Sequence, residues 1–307
     1  MDSANKQDAI IAEVTPGTTP SSPAFLLLRS TSISRSATRV RVRSPERRAD
    51  RRASTMVAGN HTYSLTIVTP FVRDAATDVL WASLLNSSFS SNVMKDGSTA
   101  TYFTLEEKYE AGATDPYHRH LGCRVTSLSI DFRLGEGGTM TWTILALSQT
   151  QATSAIASST YAAPTPNVAP VSTPEISVSG LLGLSSPGVT SLRMTINNNM
   201  QTLHKFGSAE PTALSLGLFD VSGAVDIYFS AAADYTSMIP YLAGSTIALV
   251  FGSSSGNKDQ FDMLEVDGFD PIVGDPGPTG VHIESISFMA RHDASDGSAF
   301  KLTRNVS

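Results

Sequence analysis

A mainly β fold is the architecture this sequence predicts, and three observations predict it. Only 16% of the 307 residues are charged, and Ser, Thr, Ala, Gly, Val and Leu dominate, a balance that favours strands and tight turns over long surface helices rich in Glu and Lys. Apolar and polar residues alternate at the strand period of two in several segments. Segments spaced for a helix are scarce. With a hydrophobic fraction of 41% the chain can bury at least one large core, and its length permits one or two domains.

Residues 1–22 are polar and rich in Thr, Ser and Pro, which predicts a flexible or partner-ordered arm ahead of a folded unit over 23–307. Phe25–Leu28 reads as apolar chain, and in Thr38–Arg43 the residues Arg39, Arg41 and Arg43 alternate with Val40 and Val42, a strand with one arginine-lined face. Residues 44–54 have no apolar periodicity and predict a long exposed loop. Tyr63, Leu65 and Ile67 define the next strand, ended by Pro70. Ala75, Val79, Leu80 and Leu84 recur at helical spacing after Asp74, which predicts a short helix. Further strands are expected at Thr101–Leu105, Val125–Phe132 and Met140–Leu147, the last two joined by Gly135, Gly137 and Gly138 as a hairpin. After an Ala/Ser/Thr/Pro excursion over 148–175, strands resume at Leu192–Ile196, Ala213–Phe219, Ala224–Phe229, Thr246–Phe251 and Ile283–Met289, with a third long loop over 253–280. The order strand, loop, strand, helix, strand occurs over 38–107 and again over 190–252. A pseudo-repeat follows, its second helix at Asp234–Leu242 shortened by Pro240.

The net charge of −6 hides an asymmetry. Residues 1–60 carry ten Lys/Arg against five acids, a net +5, which leaves −11 for the rest. The basic stretch Arg35–Arg52 is the pattern of a nucleic-acid or targeting segment, but Glu46 and Asp50 interrupt it; pairing with an acidic surface, such as a second copy of this chain, is the favoured reading. No apolar run reaches the ~20 residues that span a bilayer, and no charged segment precedes an apolar one at the start, so a soluble, unsecreted product is expected.

Residues that carry chemistry elsewhere read here as structural. The single Cys123 excludes an intrachain disulfide framework. Asp115, His118 and His120 make the densest set of metal-ligand types, yet a third ligand beside His-x-His is not apparent, and a polar loop entering a strand is preferred. Gly135–Gly138 lacks the Lys-Ser/Thr of a phosphate loop. Asn60-His61-Thr62 fits a glycosylation acceptor without a secretory signal to make it matter. Glu106, Glu107 and Glu110 are acidic, but adjacent glutamates on a strand face opposite ways, which argues against a paired-carboxylate site.

Three motifs resemble one family. Tyr102-Phe103-Thr104-Leu105-Glu106-Glu107-Lys108, then Leu121-Gly122-Cys123-Arg124-Val125 followed by Ser127-Leu128-Ser129-Ile130, form the first. Arg193–Asn199, ending in three asparagines, is the second. Gly217 with Val221-Ser222-Gly223, Tyr228-Phe229 and Tyr235 is the third. In this order, over roughly residues 25–255, they are similar to the major tail tube protein of long-tailed, siphovirus-type bacteriophages. Residues 1–22, the 148–175 excursion and Gly274–Gly280 have no counterpart in that pattern.

The resemblance implies a β-sandwich or barrel with one or two short flanking helices and long inter-strand loops. It further implies a non-enzymatic virion protein without cofactor, made in the host cytoplasm, whose hexameric rings stack into a tube for DNA. Tape-measure and tail terminator proteins are the implied partners, with no membrane involved. On this reading Arg39, Arg41, Arg43, Arg47, Arg48, Arg51 and Arg52 are expected to contact the next ring. Glu106 and Asp226, in expected strands of the two repeat units, are expected to face the lumen, because carboxylates repel a phosphate backbone. Alternatives are a capsid decoration or baseplate protein, or a carbohydrate-binding β-sandwich, which would need an aromatic platform beyond Trp81 and Trp142.

Overall fold

The computed structural model describes residues 6–46, 49–50, 52, 56–71, 73–110, 116–164, 176–180, 188–228, 245–252, 258–268, 272–274 and 280–306. The expected helix at Asp234–Leu242, together with Arg47, Arg48, Arg51, Asp115, Phe229 and Tyr235, lies outside them. Mainly β structure is what forms: among the described residues strands account for 62%, with one helix and no closed barrel.

The main sheet is antiparallel throughout and has seven principal strands. In lateral order these are β3 (Ser32–Arg43), β4 (Met56–Pro70), β8 (Thr139–Ala146), β7 (Tyr117–Arg133), β12 (Val189–Asn197), β15 (Asp220–Tyr228) and β19 (Ile283–Ala290), with the two-residue β18 (Ile272–Val273) beyond β19. One face of this sheet is apolar. In β4 the expected Tyr63, Leu65 and Ile67 are buried while Ser64, Thr66 and Val68 between them are half-buried, as the pleat requires.

A second sheet covers that apolar face. It runs β11 (Ile176–Ser179), β16 (Ser245–Phe251), β17 (Lys258–Gly268), β20 (Phe300–Val306) and β5 (Val93–Lys95). Leu249, Phe261, Met263 and Phe300 from this layer join Trp142, Ile130 and Val225 from the main sheet in one core, the arrangement of a sandwich. A third sheet extends the long β7 beyond its bulge: β6 (Tyr102–Tyr109) and β9 (Ser148–Ala152) pair with its first half, and β1 (Lys6–Glu13), β2 (Ala24–Leu27) and β10 (Thr160–Ala162) continue outward from β6. A small hairpin of β13 (Gln201–Leu203) and β14 (Ala213–Ser215) closes one end over Leu147 and Met200.

The expected helix is α1 (Ala75–Leu85). Asp74 caps it: its Oδ1 accepts from the amides of Ala76 and Thr77 at 2.7 and 3.0 Å, while Thr77 Oγ1 accepts from the Asp74 amide at 3.1 Å, satisfying donors that a helix start leaves orphaned. Leu80, Trp81 and Leu84 point into the core, where Trp81 meets Trp142 edge-on at 5.3 Å.

Four expectations need revision. Residues 6–13, assigned to a flexible arm, pair along their whole length with β6 and bury Ala9 and Ile10; the apolar run Ala9-Ile10-Ile11-Ala12 is the signal that marks them. The excursion over 148–175 holds β9 and β10, and the loop over 253–280 holds β17, whose buried apolar residues alternate over only half its length. Ala213–Phe219 contributes only the three residues of β14. The strand pairs of the two repeat units, β3·β4 and β12·β15, are both antiparallel neighbours, the first at a sheet edge and the second within the sheet, while the helix of the second unit lies outside the described residues.

Candidate functional site

Two surfaces stand out. The first is the solvent side of the main sheet. Cross-strand register lines up side chains of one kind there: Ser34, Thr66, Thr143 and Ser127 form one row across β3, β4, β8 and β7, and Thr141, Ser129, Thr195 and Ser222 form another across β8, β7, β12 and β15. Among the described residues this face carries no lysine, and its two exposed arginines are Arg133 and Arg193; Arg124, opposite Leu145 on the same side, is buried beneath the β13·β14 hairpin, where it donates to the Leu214 carbonyl. The hydroxyl face follows from alternation, since each serine or threonine is flanked in sequence by a core residue, as in Thr139-Met140-Thr141-Trp142-Thr143-Ile144.

The second surface is the far end of the β3·β4 pair. Beyond Ser36 and Ser64 the two strands continue as a two-stranded ribbon to Arg43 and Met56. From Ala37 to Arg43 that is about 20 Å at ~3.3 Å per residue. Val40, Val42 and Val57 share one face at 56, 55 and 63% exposure, and Arg39, Arg41 and Arg43 occupy the other with Met56, 68% exposed. Arg39 Nε donates to the Gly59 carbonyl at 3.2 Å. At the ribbon's root His61 and Tyr63 hold the loop between β13 and β14, the Tyr63 hydroxyl donating to Glu210 Oε1 at 3.0 Å. Burial and that carboxylate push the Tyr63 phenol up to about 12. Exposed valines cost free energy in water, so a ribbon of this kind is built to be covered.

The sequence-derived residues fall as follows. Arg39, Arg41 and Arg43 lie on the ribbon and Arg52 is exposed in the loop beyond it, with its amide 3.2 Å from Asp50 Oδ1. Asp226 is half-buried on the hydroxyl face, accepting from Ser191 Oγ and lying 3.6 Å from Arg193. Glu106 requires correction. It is 1% exposed, because β6 is flanked by β1 and β7 and covered on both faces, and its carboxylate accepts from Arg119 Nε at 2.6 Å and from the Tyr161 hydroxyl. No lumen can see it.

Its neighbour Glu107 points the other way, as strand geometry demands. It too is buried and accepts from Lys6 Nζ and Tyr109 Oη, both at 2.7 Å, from Arg35 at 3.1 Å, and lies 3.2 Å from His120 Nε2. Burial alone would raise its pKa, but the bonds from His120, Lys6 and Tyr109 and the Lys6 charge outweigh that and hold it well below the usual carboxylate range. The cluster joins β1, β3, β6 and β7. Sequence reasoning missed it because its partners are contributed by four separated segments.

His120 is thus part of a structural network and His118 packs edge-on against Tyr109 at 5.7 Å, and among the described residues no group of three His, Cys, Asp or Glu is placed to hold a metal. Cys123 is fully buried, its Sγ donates to the His120 carbonyl at 3.3 Å, and burial pushes the thiol well up. Trp81 and Trp142 are both core residues.

A sandwich with one polar face, a long unpaired edge strand and a ribbon of exposed valines defines a structural subunit made to associate. The sequence matches the model of the phage tail tube protein family over residues 3–290, and the chain belongs to that family. It is therefore a structural protein of the virion tail, from a generally non-enzymatic family that self-assembles into a tube. No curated protein matches the chain.

Proposed function

We propose that copies of this chain form hexameric rings that stack into a tube, that the hydroxyl face of the main sheet lines the channel through which DNA passes, and that the β3·β4 ribbon docks onto the neighbouring ring. The observation that carries this reading is the two-sidedness of the main sheet: apolar inward, hydroxyl-bearing and almost free of cations outward. Phosphate contacts with Lys and Arg dominate nucleic-acid affinity, so a wall that must let DNA slide displays few of them. Asp226 lies on that wall. Arg39, Arg41, Arg43 and Arg52 sit away from it, and together with Arg47, Arg48 and Arg51, which lie outside the described residues, they are assigned to contact with the acidic body of a neighbour. The tube performs no catalysis, and tape-measure and terminator proteins set its length and end.

The channel assignment is tested by cysteine labelling of assembled tubes, for which the buried Cys123 gives a silent background. Thr195→Cys, exposed on the hydroxyl face, should react with a small maleimide and resist one coupled to a large polymer. Ala294→Cys, exposed on a turn preceding β20, should react with both. Equal reaction of the two sites with the bulky reagent refutes the assignment.

A further inference from the structure

The two exposed arginines of the hydroxyl face are not free. Arg133 Nη2 lies 3.1 Å from Asp131 Oδ2, two residues back on the same side of β7. Arg193 stands directly opposite Asp131 in the β7·β12 register, and its Nη2 is 3.6 Å from Asp226 on β15. Asp226 is in turn oriented by Ser191, which stands opposite Arg133. Across three strands the charges thus alternate in both directions: Arg133, Ser191, Asp226 in one row and Asp131, Arg193, Ala224 in the next. Asp131 keeps Arg133 more firmly charged, and Glu136 and Asp226 add to the same field. Two cations and two carboxylates make a neutral patch on a surface that otherwise carries hydroxyls, the Asn197 amide, the apolar side chains of Tyr228, Ile283 and Met289, and a carboxylate, Asp220, at the end of β15.

An exposed ion pair of this kind adds little to the stability of a subunit. Its consequence lies in what the guanidiniums are prevented from doing. Arginine is the side chain best shaped for bidentate capture of phosphate, and rings stacked along a tube would repeat each free arginine many times. We propose that Asp131, Arg133, Arg193 and Asp226 form a charge lock, in which the carboxylates occupy the guanidiniums that the DNA backbone would otherwise bind. The lock rests on the assignment of this face to the channel. It differs from a wall lined with surplus carboxylate, which would repel DNA by net charge; here non-binding is achieved at local neutrality, by pairing each guanidinium with a carboxylate.

The test is a titration of tubes assembled from the full chain with a short fluorescent DNA duplex over a range of salt concentrations. Wild-type tubes should retain little duplex. Tubes of the Asp131→Asn/Asp226→Asn variant should bind it, with an affinity that falls about 3.5-fold per freed phosphate contact for a fourfold rise in salt, from a log–log slope of about −0.9 per contact. Adding Arg133→Gln and Arg193→Gln should abolish the gained binding. A double variant that gains no binding, while Thr195→Cys remains shielded, overturns the lock and leaves the channel assignment standing. A Thr195→Cys open to the bulky reagent overturns the assignment and the lock together. Should the double variant not assemble, the single Asp131→Asn is read by the same assay with the same outcomes.

Discussion

Replacing Glu107 by Gln tests whether the buried charge cluster holds the third sheet to the rest of the molecule. Glu107 receives hydrogen bonds from Lys6, Tyr109 and Arg35 and neighbours His120 Nε2, all within 3.2 Å, and its carboxylate is wholly buried. The amide keeps the shape, removes the charge and turns one acceptor into a donor facing donors. Removing one partner of a buried ion pair costs about 3–5 kcal/mol because the other charges stay behind. Here relief is available: Lys6 retains Asp8 at 3.0 Å, and the Lys6 and Arg35 side chains are 18 and 34% exposed. The loss should therefore lie near the lower end, about 3 kcal/mol. With an unfolding entropy of about 2.1 cal/mol/K per residue over 307 residues, that corresponds to a fall in Tm of about 5 °C. Calorimetry on the unassembled subunit, with Glu110→Gln as a solvent-exposed control expected within about 0.5 kcal/mol, supplies the measurement. A fall below about 1 kcal/mol for Glu107→Gln would show that the cluster is not cooperative. The pH dependence has a definite sign. The folded pKa of Glu107 is depressed, so its contribution is complete above the ordinary carboxylate range and is lost as pH falls through the folded value. The gap between wild type and variant should be constant from about pH 6 to 8 and shrink below about pH 4.5.

Other perturbations have equally direct readouts. Asp74→Ala removes both bonds to the first turn of α1 and should cost about 1 kcal/mol in denaturant unfolding, recovered in large part by Asp74→Ser, which restores the acceptor. Gly223→Ala places a methyl 2.4 Å from both the Arg193 carbonyl and the Phe288 ring, so a loss of about 1–3 kcal/mol or failure to fold is expected; an unchanged Tm contradicts the β12·β15·β19 register. Arg41→Glu/Arg43→Glu reverses charge on the exposed ribbon, and should leave the subunit's Tm within about 1 °C while blocking tube growth under the electron microscope; tubes of normal length would remove these arginines from the docking mechanism.

Much of the local structure was legible in the sequence. The pleat fixes alternation, so Tyr63-Ser64-Leu65-Thr66-Ile67 and Met140–Leu147 announced strands before any neighbour was known. Asp74 before an apolar helical spacing announced α1, and the opposite orientations of Glu106 and Glu107 followed from adjacency alone. Strand order was not legible. That β7 lies between β8 and β12, and so brings Asp131 opposite Arg193, is decided by hydrogen bonds between distant segments and by which apolar faces bury each other. The same holds for Glu106: its direction was set by the strand, but its burial by β1, a segment whose polar composition masked four apolar residues. Composition and periodicity act residue by residue and determine which faces exist. Lateral pairing is a long-range choice, and it alone determined that the hydroxyl faces of separate strands merge into one surface and that its exposed arginines are matched by carboxylates.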